Sequence, residues 1–519
     1  MSDDLSHPAD LADEPAAAAV PGPSSSDPSE RSAPATPAAP SGSVSPSSVD
    51  RRAFFRSFSR QTVTTVAQVA GIAGAVSRGT TAAMVGAVEI GLGSPRANAQ
   101  RLERTGPGAA AERDADADAS PTSAARTSGP GFRNPYRLDD DTLYLLDQRL
   151  LPDRLEEIPC RRAADVAFQL RTLAVSGGPV LGQLCAYGLA LTARESVAMP
   201  AGRRAAELRR ASQLLTYARP AAQAARSALV RMEARISELP ADADGHEFAV
   251  ALMDEADAIA AEAALDHAAI AHATADLLRD ATGPTGTTGA TDEIRVLLHG
   301  DPGLLTSGQV GTGIAALQLL AAEGRALKVW VAESRPRLEG ARLASWELRT
   351  AGIDHTVIAD AAVAWLFARE RIDAVLMAAD WIAADGDAVA LIGSRTTAEM
   401  AALGLHGDGP TPVYVCAPVL TIGPATFRAT SVPIELRPGR EVASDHGAPP
   451  NRGRSVDNPA VELVPSGRIA AFVTEEGVLR APFEPSLAGA VGRRAARHRA
   501  RRAPTSLGDA TAARSAASG

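Results

Sequence analysis

Two loops carry side chains that could perform acid–base chemistry. The first is the glycine-rich turn HGDPG (299–303), which follows the apolar segment 294–298 as a phosphate-binding loop does and contains Asp301. The second is ADWIAADGD, which carries Asp380. Two carboxyl groups brought together would suit general acid–base catalysis. The turn also lacks a thiol, a lysine and a serine beside a base, so the sequence does not decide whether it reacts.

Each of these acidic residues also has a structural interpretation. Asp301 either pairs with Asp380 as an acid–base group or caps the turn that follows it, which is the commoner role of aspartate in such positions. Asp380 is either a catalytic acid or a residue that orders the loop reaching Asp387. His299, which precedes the turn, fits a packed and hydrogen-bonded side chain better than a base.

The remaining reactive residue types exclude several classes of site. Lys328 is the single lysine and begins an apolar segment, a poor position for a Schiff base or a phosphate clamp. The cysteines are three, odd in number and widely spaced, and the histidines of the helical half lack metal-ligand spacing. These residues are Cys160, Cys185, Cys416, His246, His267 and His272. We therefore expect no metal, no cofactor and no disulfide framework.

The hydrophobic pattern that must position these loops changes along the chain. Residues 132–280 show apolar side chains at helical spacings and predict a helical domain, and 281–292 has the composition of a linker. From 293 to 485, short apolar runs mostly alternate with helix-length segments, which predicts an α/β, Rossmann-like domain with a parallel sheet. The predicted strands are 294–298, 327–332, 355–358, 373–377, 412–417 and 469–473. Ligands of such sheets bind beyond the carboxyl ends of the strands, where both loops lie.

The chain ends differ in composition from these two domains. Residues 1–49 and 101–131 are rich in Ala, Pro, Ser and Asp and are expected to be disordered. The segment 50–100 between them opens with paired arginines and an uncharged stretch, and within it residues 50–76 fit either a twin-arginine export signal or an amphipathic helix on a membrane or partner. Residues 486–519 are expected to form a basic disordered tail, with nucleic-acid or membrane contact as the alternative. The unpaired thiols favour a cytoplasmic protein unless the segment 50–100 directs export.

Several motifs of the two domains, in order and spacing, resemble those of the methylthioribose-1-phosphate isomerase family, which is related to the alpha, beta and delta subunits of translation initiation factor 2B. In the second domain the motifs are ESRPRLEGARLASWEL (333–348), AADWIAADGD (378–387), LIGS (391–394), VPIELR (432–437) and NPAVELVP (458–465). In the first they are LLDQRLLP (145–152), VSGGPVLG (175–182) and LLTYARPAA (214–222). The resemblance implies a helical N-terminal domain, a Rossmann-like C-terminal domain, and a homodimer or larger assembly.

The resemblance also implies a function and a set of site residues. Enzymes of this family isomerise an aldose 1-phosphate to a ketose 1-phosphate, so a phosphorylated small molecule is the expected ligand. Asp380 takes the place of the family's catalytic aspartate, with Asp301 as a weaker candidate for a second group. The implied substrate-binding positions are Gly177, Gly178, Arg219, His299, Gly300, Gly303, Glu339 and Asp387.

This sequence departs from the family pattern at ligand-facing positions. Gly300 stands where the family has its catalytic cysteine, and Ser176 stands where it has a substrate-holding arginine. Ala390 and Leu391 replace an asparagine and a lysine, and Glu339 replaces a glutamine. Two hypotheses follow: a divergent sugar-phosphate isomerase, or a non-catalytic protein that binds a sugar phosphate or nucleotide as a regulatory subunit. The departures favour loss of the ancestral reaction.

Overall fold

The computed structural model describes residues 134–240, 243–282, 293–407, 409–442 and 455–502. The predictions for residues 1–131, for most of the linker 281–292 and for the chain after 502 lie outside these residues. No helix of the described ranges is long and apolar enough to cross a membrane.

The first half begins with a small antiparallel sheet, not with a helix. Its strands are β1 (Tyr136–Asp139), β2 (Thr142–Leu146) and β3 (Glu157–Cys160), in the order β1-β2-β3. Leu143 and Leu145 on β2 are fully buried against the helices that follow. The prediction of a helical domain over 132–280 missed these strands at its start, because strands of four and five residues are too short to show a period of their own.

Five helices complete this half, and four of them surround the fifth, which is buried. They are α1 (Ala163–Arg171), α2 (Val180–Glu195), α3 (Ala201–Thr216), α4 (Gln223–Glu238) and α5 (Gly245–Thr282). Every residue of α2 from Val180 to Ala193 is buried, as expected of a helix that is apolar on all sides. The 38 residues of α5 reach from this core, at Leu252, to the core of the second half, at Leu278. The two halves therefore share a helix.

The second half is built on a seven-stranded sheet in the order β14-β13-β10-β7-β4-β5-β6. Its strands are β4 (Glu293–His299), β5 (Ala326–Ala332), β6 (His355–Ile358), β7 (Ala374–Met377), β10 (Val413–Cys416), β13 (Ala471–Thr474) and β14 (Gly477–Leu479). All pairs are parallel except β13 with β14. The six predicted strands and the Rossmann-like class are confirmed. The chain runs outward from β4 to β6 and then returns to place β7 on the other side of β4, so the strand order reverses between β4 and β7.

Shorter elements surround this sheet. The helices are α6 (Leu304–Ser307), α7 (Gly313–Ala322), α8 (Ser345–Thr350), α9 (Val363–Arg369), α10 (Ser394–Ala402) and α11 (Phe483–Arg502), and a π-helical turn (Gly340–Ala344) leads into α8. A four-stranded sheet in the order β11-β8-β9-β12 lies beside them. Its strands are β8 (Trp381–Ala383), β9 (Ala388–Leu391), β11 (Ile422–Gly423) and β12 (Val461–Val464).

Helix α11 corrects the prediction of a basic disordered tail over residues 486–502. Arg494 donates to Glu475 at 2.7 Å and also pairs with Asp266 of α5. The carboxylates of Glu475 and Asp266 are almost fully buried. Arginine and alanine favour helix, and these distant acids neutralise part of the charge that would otherwise destabilise it.

Hydrogen bonds from the first half fix the loops of the second. Gln148 donates from Nε2 to the Leu305 carbonyl at 2.8 Å and accepts at Oε1 from the Ser176 N–H at 2.8 Å. Arg342 in turn donates to the carbonyl of Gln148 at 2.9 Å. The turn after β4 is thereby held against the loop that precedes α2, and a cleft is left between them.

Candidate functional site

The cleft lies at the carboxyl ends of β4 and β7, where the strand order reverses. Such a reversal opens a crevice in which open α/β sheets bind ligands. Most of the positions expected from the sequence line it. These are Gly177, Gly178, Arg219, His299, Gly300, Asp301, Glu339 and Asp380.

Two expected positions lie outside this lining. A Cβ atom at Gly303 would meet Glu347 Oε2 at 2.3 Å, so this glycine packs against a buried carboxylate. Asp387 accepts the Ser466 backbone N–H at 2.8 Å and so connects two loops. Both residues lie in the loops that carry the site, so the sequence placed them near it. In the structure they pack or connect these loops and do not reach the cleft.

Asp380 precedes β8 and is the best-placed titratable group of the cleft. Its Oδ1 accepts the Gly178 backbone N–H at 3.2 Å. Burial raises the pKa of Asp380 above its usual value, and Glu339 and Glu435 add to the rise. The Arg219 guanidinium and the Gly178 N–H oppose it. A carboxyl group with a raised pKa holds its proton more readily than a free aspartate does, which favours a role as a general acid.

Arg219 is buried beside Asp380. Its Nη1 donates to the Ser176 carbonyl at 2.6 Å and its Nε donates to Glu435 at 3.2 Å. A Cβ atom at Gly177 would lie 3.7 Å from Arg219 Nη2 and 3.6 Å from Asp380 Oδ1. Because Gly177 has no side chain, a ligand can reach both the cation and the carboxyl group.

Gly300 lies across the cleft and contributes no side chain. Its φ of +77° is in the left-handed region, and its N–H donates to Ser334 Oγ at 3.2 Å. A Cβ atom there would meet only Leu391 Cδ2, at 3.4 Å, and Leu391 Cβ. The position thus has room for a small side chain, but its backbone conformation favours glycine.

His299 is a packed residue, as its sequence context indicated. Nε2 lies 3.1 Å from the Ile392 carbonyl and Nδ1 lies 3.2 Å from Thr397 Oγ1. Burial lowers its pKa. Both ring nitrogens are engaged, so His299 orients the end of β4 against α10 and has no free nitrogen for proton transfer.

Asp301 does not cap α6. The carboxylate of Glu347 takes that role, accepting the Leu304 backbone N–H at 2.8 and 2.9 Å. Both carboxyl oxygens of Asp301 are enclosed and make no hydrogen bond of normal geometry. Asp301 therefore does not cap the helix, because the side chain of Glu347 in α8 accepts the N–H of its first residue, whereas the Gly303 N–H of the turn does face the Asp301 carboxyl group.

Ser176 and Glu339 occupy the positions where the family pattern has an arginine and a glutamine, and they contact each other. Ser176 Oγ donates to Glu339 Oε1 at 2.7 Å, and Arg337 Nε donates to the same oxygen at 2.9 Å. Although burial opposes it, the Arg337 cation and the Ser176 hydroxyl lower the pKa of Glu339. The cleft thus contains a paired carboxylate that is ionised at neutral pH.

Several lining residues were not predicted as site residues. Arg335, Arg337, Arg437 and Asn458 all line the cleft. Arg437 is tied to Glu435 at 3.1 Å and to Glu441 at 2.9 Å. Arg335 and Asn458 are 123 positions apart in the sequence, so no local spacing marked the set, although three of the motifs quoted above contain its members.

Comparison with known proteins agrees with this geometry. A model of the initiation factor 2 subunit family matches residues 174–481, more than half of the chain. The chain belongs to the initiation factor 2 subunit family. It is 36% identical over 346 residues to a methylthioribose-1-phosphate isomerase of Chloroflexus aurantiacus, covering 66% of this chain and 94% of the relative. The same enzyme of Syntrophotalea carbinolica is 36% identical over 360 residues, covering 68% and 98%.

Solved structures of the family show the same fold. A 5-methylthioribose 1-phosphate isomerase from Pyrococcus horikoshii OT3 superposes with a TM-score of 0.59 at 27% identity, covering 69% of this chain and 96% of that one. Subunit delta of translation initiation factor eIF-2B from A. fulgidus superposes with a TM-score of 0.56 at 29% identity, covering 69% and 99%. The family therefore includes chains named as enzymes and chains named as translation factor subunits, and fold alone does not choose between these functions.

Proposed function

We propose that the cleft binds a phosphorylated sugar and that this chain does not carry out the aldose–ketose isomerisation after which its isomerase relatives are named. The ligand class follows from the cations and open backbone of the cleft. The absence of turnover follows from the lack of a titratable side chain at Gly300. The two parts have separate tests.

Four arginines favour an anionic ligand. Arg219, Arg335, Arg337 and Arg437 line the cleft, and guanidinium groups bind phosphate with planar pairs of donors. Glu339, Glu435 and Glu441 already pair with three of these cations and weaken their pull on a phosphate. Arg335 is only partly buried and donates to the Val442 carbonyl at 2.8 Å. We assign the contact with the phosphate to the four arginines together.

One observation carries the proposal that turnover is absent. Moving a proton between two sugar carbons requires a donor and an acceptor on the reacting atoms. At the position where the family pattern has a cysteine the chain has Gly300, and the neighbouring His299 has both nitrogens engaged. Loss of one positioned acid–base group costs about 100- to 10,000-fold in rate.

A divergent isomerase is the second candidate, and Asp301 favours it. This residue is next to Gly300, does not cap α6 and would give a two-carboxyl site with Asp380. Its carboxyl oxygens, however, are enclosed beneath the turn and open to the cleft only if the turn moves. The enclosed position of these oxygens supports binding better than turnover.

Calorimetric titration with methylthioribose 1-phosphate and with ribose 1,5-bisphosphate tests the binding part. We expect saturable binding of at least one of them. Arg335→Gln should weaken it by about 10- to 150-fold, the value of one charged hydrogen bond of about 1.5–3 kcal/mol. Arg395→Gln, at an exposed arginine outside the lining, is the matched control. Absence of binding by the folded wild-type chain would overturn the proposal.

A further inference from the structure

A pair of buried carboxyl groups lies beneath the turn that carries Gly300. Asp301 is 6% exposed and Glu347 is 1% exposed. A Cβ atom at Gly303 would lie 2.3 Å from Glu347 Oε2 and 2.6 Å from Asp301 Oδ1. The two carboxyl groups therefore converge on the same point, and only a glycine fits between them.

The surroundings of the two groups differ. Both oxygens of Glu347 accept the Leu304 N–H, which stabilises a negative charge there. Neither oxygen of Asp301 has a hydrogen bond of normal geometry among the described residues, although the Gly303 N–H faces it. An ionised Asp301 would be a buried charge with only the Gly303 N–H beside it, which is strongly unfavourable.

No cation among the described residues forms an ion pair with either group. The other charged group that faces Asp301 is Glu339, which is itself paired with Arg337 at 2.9 Å. A second negative charge at Asp301 would thus add to those of Glu347 and Glu339. A protonated Asp301 would remove this repulsion and supply an O–H for Glu347 to accept.

We infer that Asp301 and Glu347 share one proton at neutral pH, with Asp301 as the donor, and that this proton positions the Gly300 turn and leaves the pair with one negative charge instead of two. Asp301 is then a positioning residue and not a catalytic one. The inference concerns the wall of the cleft and holds whether or not the proposed ligand binds.

The direction of the titration agrees with this arrangement. Burial and the neighbouring Glu347 and Glu339 carboxylates raise the pKa of Asp301 well above its usual range. Burial raises the pKa of Glu347 to about 7, against the pull of the Leu304 and Leu305 N–H groups. Two interacting acids of this kind lose their protons in steps that belong to the pair.

Infrared spectroscopy of protein labelled with carbon-13 on its aspartate carboxyl groups detects the proton directly. At neutral pH we expect a protonated-carboxyl C=O band in the wild type that is lost in Asp301→Asn and kept in Asp380→Asn. Glu347→Gln should shift the titration of this band to lower pH, because the glutamine amide can donate to an ionised Asp301. A role in packing alone would not move that titration.

A second readout keeps the inference testable if one variant fails to fold. Asp301→Asn removes the donor of the shared proton and should make the unfolding equilibrium constant less dependent on pH, by up to about tenfold per pH unit between about pH 5 and 7, whereas Glu347→Gln should move this dependence to lower pH. Asp139→Asn, at an exposed acid, should follow the wild type. A band that persists in Asp301→Asn, or variants that parallel the wild type, would overturn the shared proton.

Discussion

The two walls of the cleft differ in what they retain. The Asp380 wall, formed by Gly177, Gly178, Arg219 and Asp380, has a titratable group, a buried cation and open backbone. The Gly300 wall, formed by residues 299–304, has the same kind of tight turn but directs no titratable side chain into the cleft. The difference teaches that the framework of a site is kept by packing and hydrogen bonds that do not depend on the reacting groups.

The largest loss of stability is expected from a substitution in the Asp380 wall. Arg219→Met removes the donors to the Ser176 carbonyl and to Glu435, whose side chain is 16% exposed. Breaking such a buried pair costs about 3–5 kcal/mol of unfolding free energy. Urea unfolding measures it, with Arg137→Met at an exposed pair as a control that should change stability by less than about 1 kcal/mol. Equal effects in the two variants would contradict a structural role for Arg219.

The next effect tests the framework of the Gly300 wall. Gly303→Ala places a Cβ atom 2.3 Å from Glu347 Oε2 and should destabilise the chain by about 1–3 kcal/mol, as overpacking does. Gly202→Ala is the matched control, since nothing lies within 4 Å of its added methyl group in α3. The control should be neutral or slightly stabilising. If Gly303→Ala were as stable as the wild type, the two carboxyl groups would not enclose the space beside Gly303.

A smaller loss of stability is expected from substitutions at Gly300. A cysteine side chain at this position fits beside Leu391, but the residue must adopt a left-handed backbone conformation. This should lower the free energy of unfolding by about 1–2 kcal/mol. Gly300→Ala should lose the same stability, which isolates the backbone cost from the effect of the thiol. If the lack of a side chain at Gly300 is what prevents isomerisation, ketose formation should appear in Gly300→Cys and not in Gly300→Ala. Activity in both variants, or in neither, would weaken that explanation.

The smallest effect is a change in pH dependence at Asp380. Burial raises the folded-state pKa, so the wild type loses stability as the pH rises from the ordinary aspartate value to that raised pKa. Asp380→Asn removes this loss. The stability of the variant relative to the wild type should increase over the interval and then level off. Thermal unfolding at stepped pH measures it, and a constant difference would show that the pKa of Asp380 is not raised.

The sequence predicted much of the second half because its strands are continuous apolar runs. It did not predict β1 to β3, which are short, or α11, whose arginine run has no apolar stripe to mark its buried face. Helix α11 is neutralised in part by Glu475 and by Asp266, which is more than 200 residues away in the sequence. Contacts of that range leave no local pattern.

The candidate site followed the same rule. Asp380, Gly177 and Arg219 lie in motifs whose order marked them, and the structure brings them together. The role of Asp301 depends on Glu347, which lies 46 positions further along the chain and accepts the Leu304 N–H. Whether a carboxyl group caps a helix or is enclosed without a donor is decided by such neighbours, which spacing along the chain does not reveal.

The most direct test of the account is the fate of methylthioribose 1-phosphate incubated with the wild-type chain and followed by phosphorus and carbon NMR. We predict shifted or broadened ligand signals that report binding, with no ketose signal after prolonged incubation. Ketose formation that disappears in Asp380→Asn would contradict a cleft with one acid–base group and establish the divergent isomerase in its place.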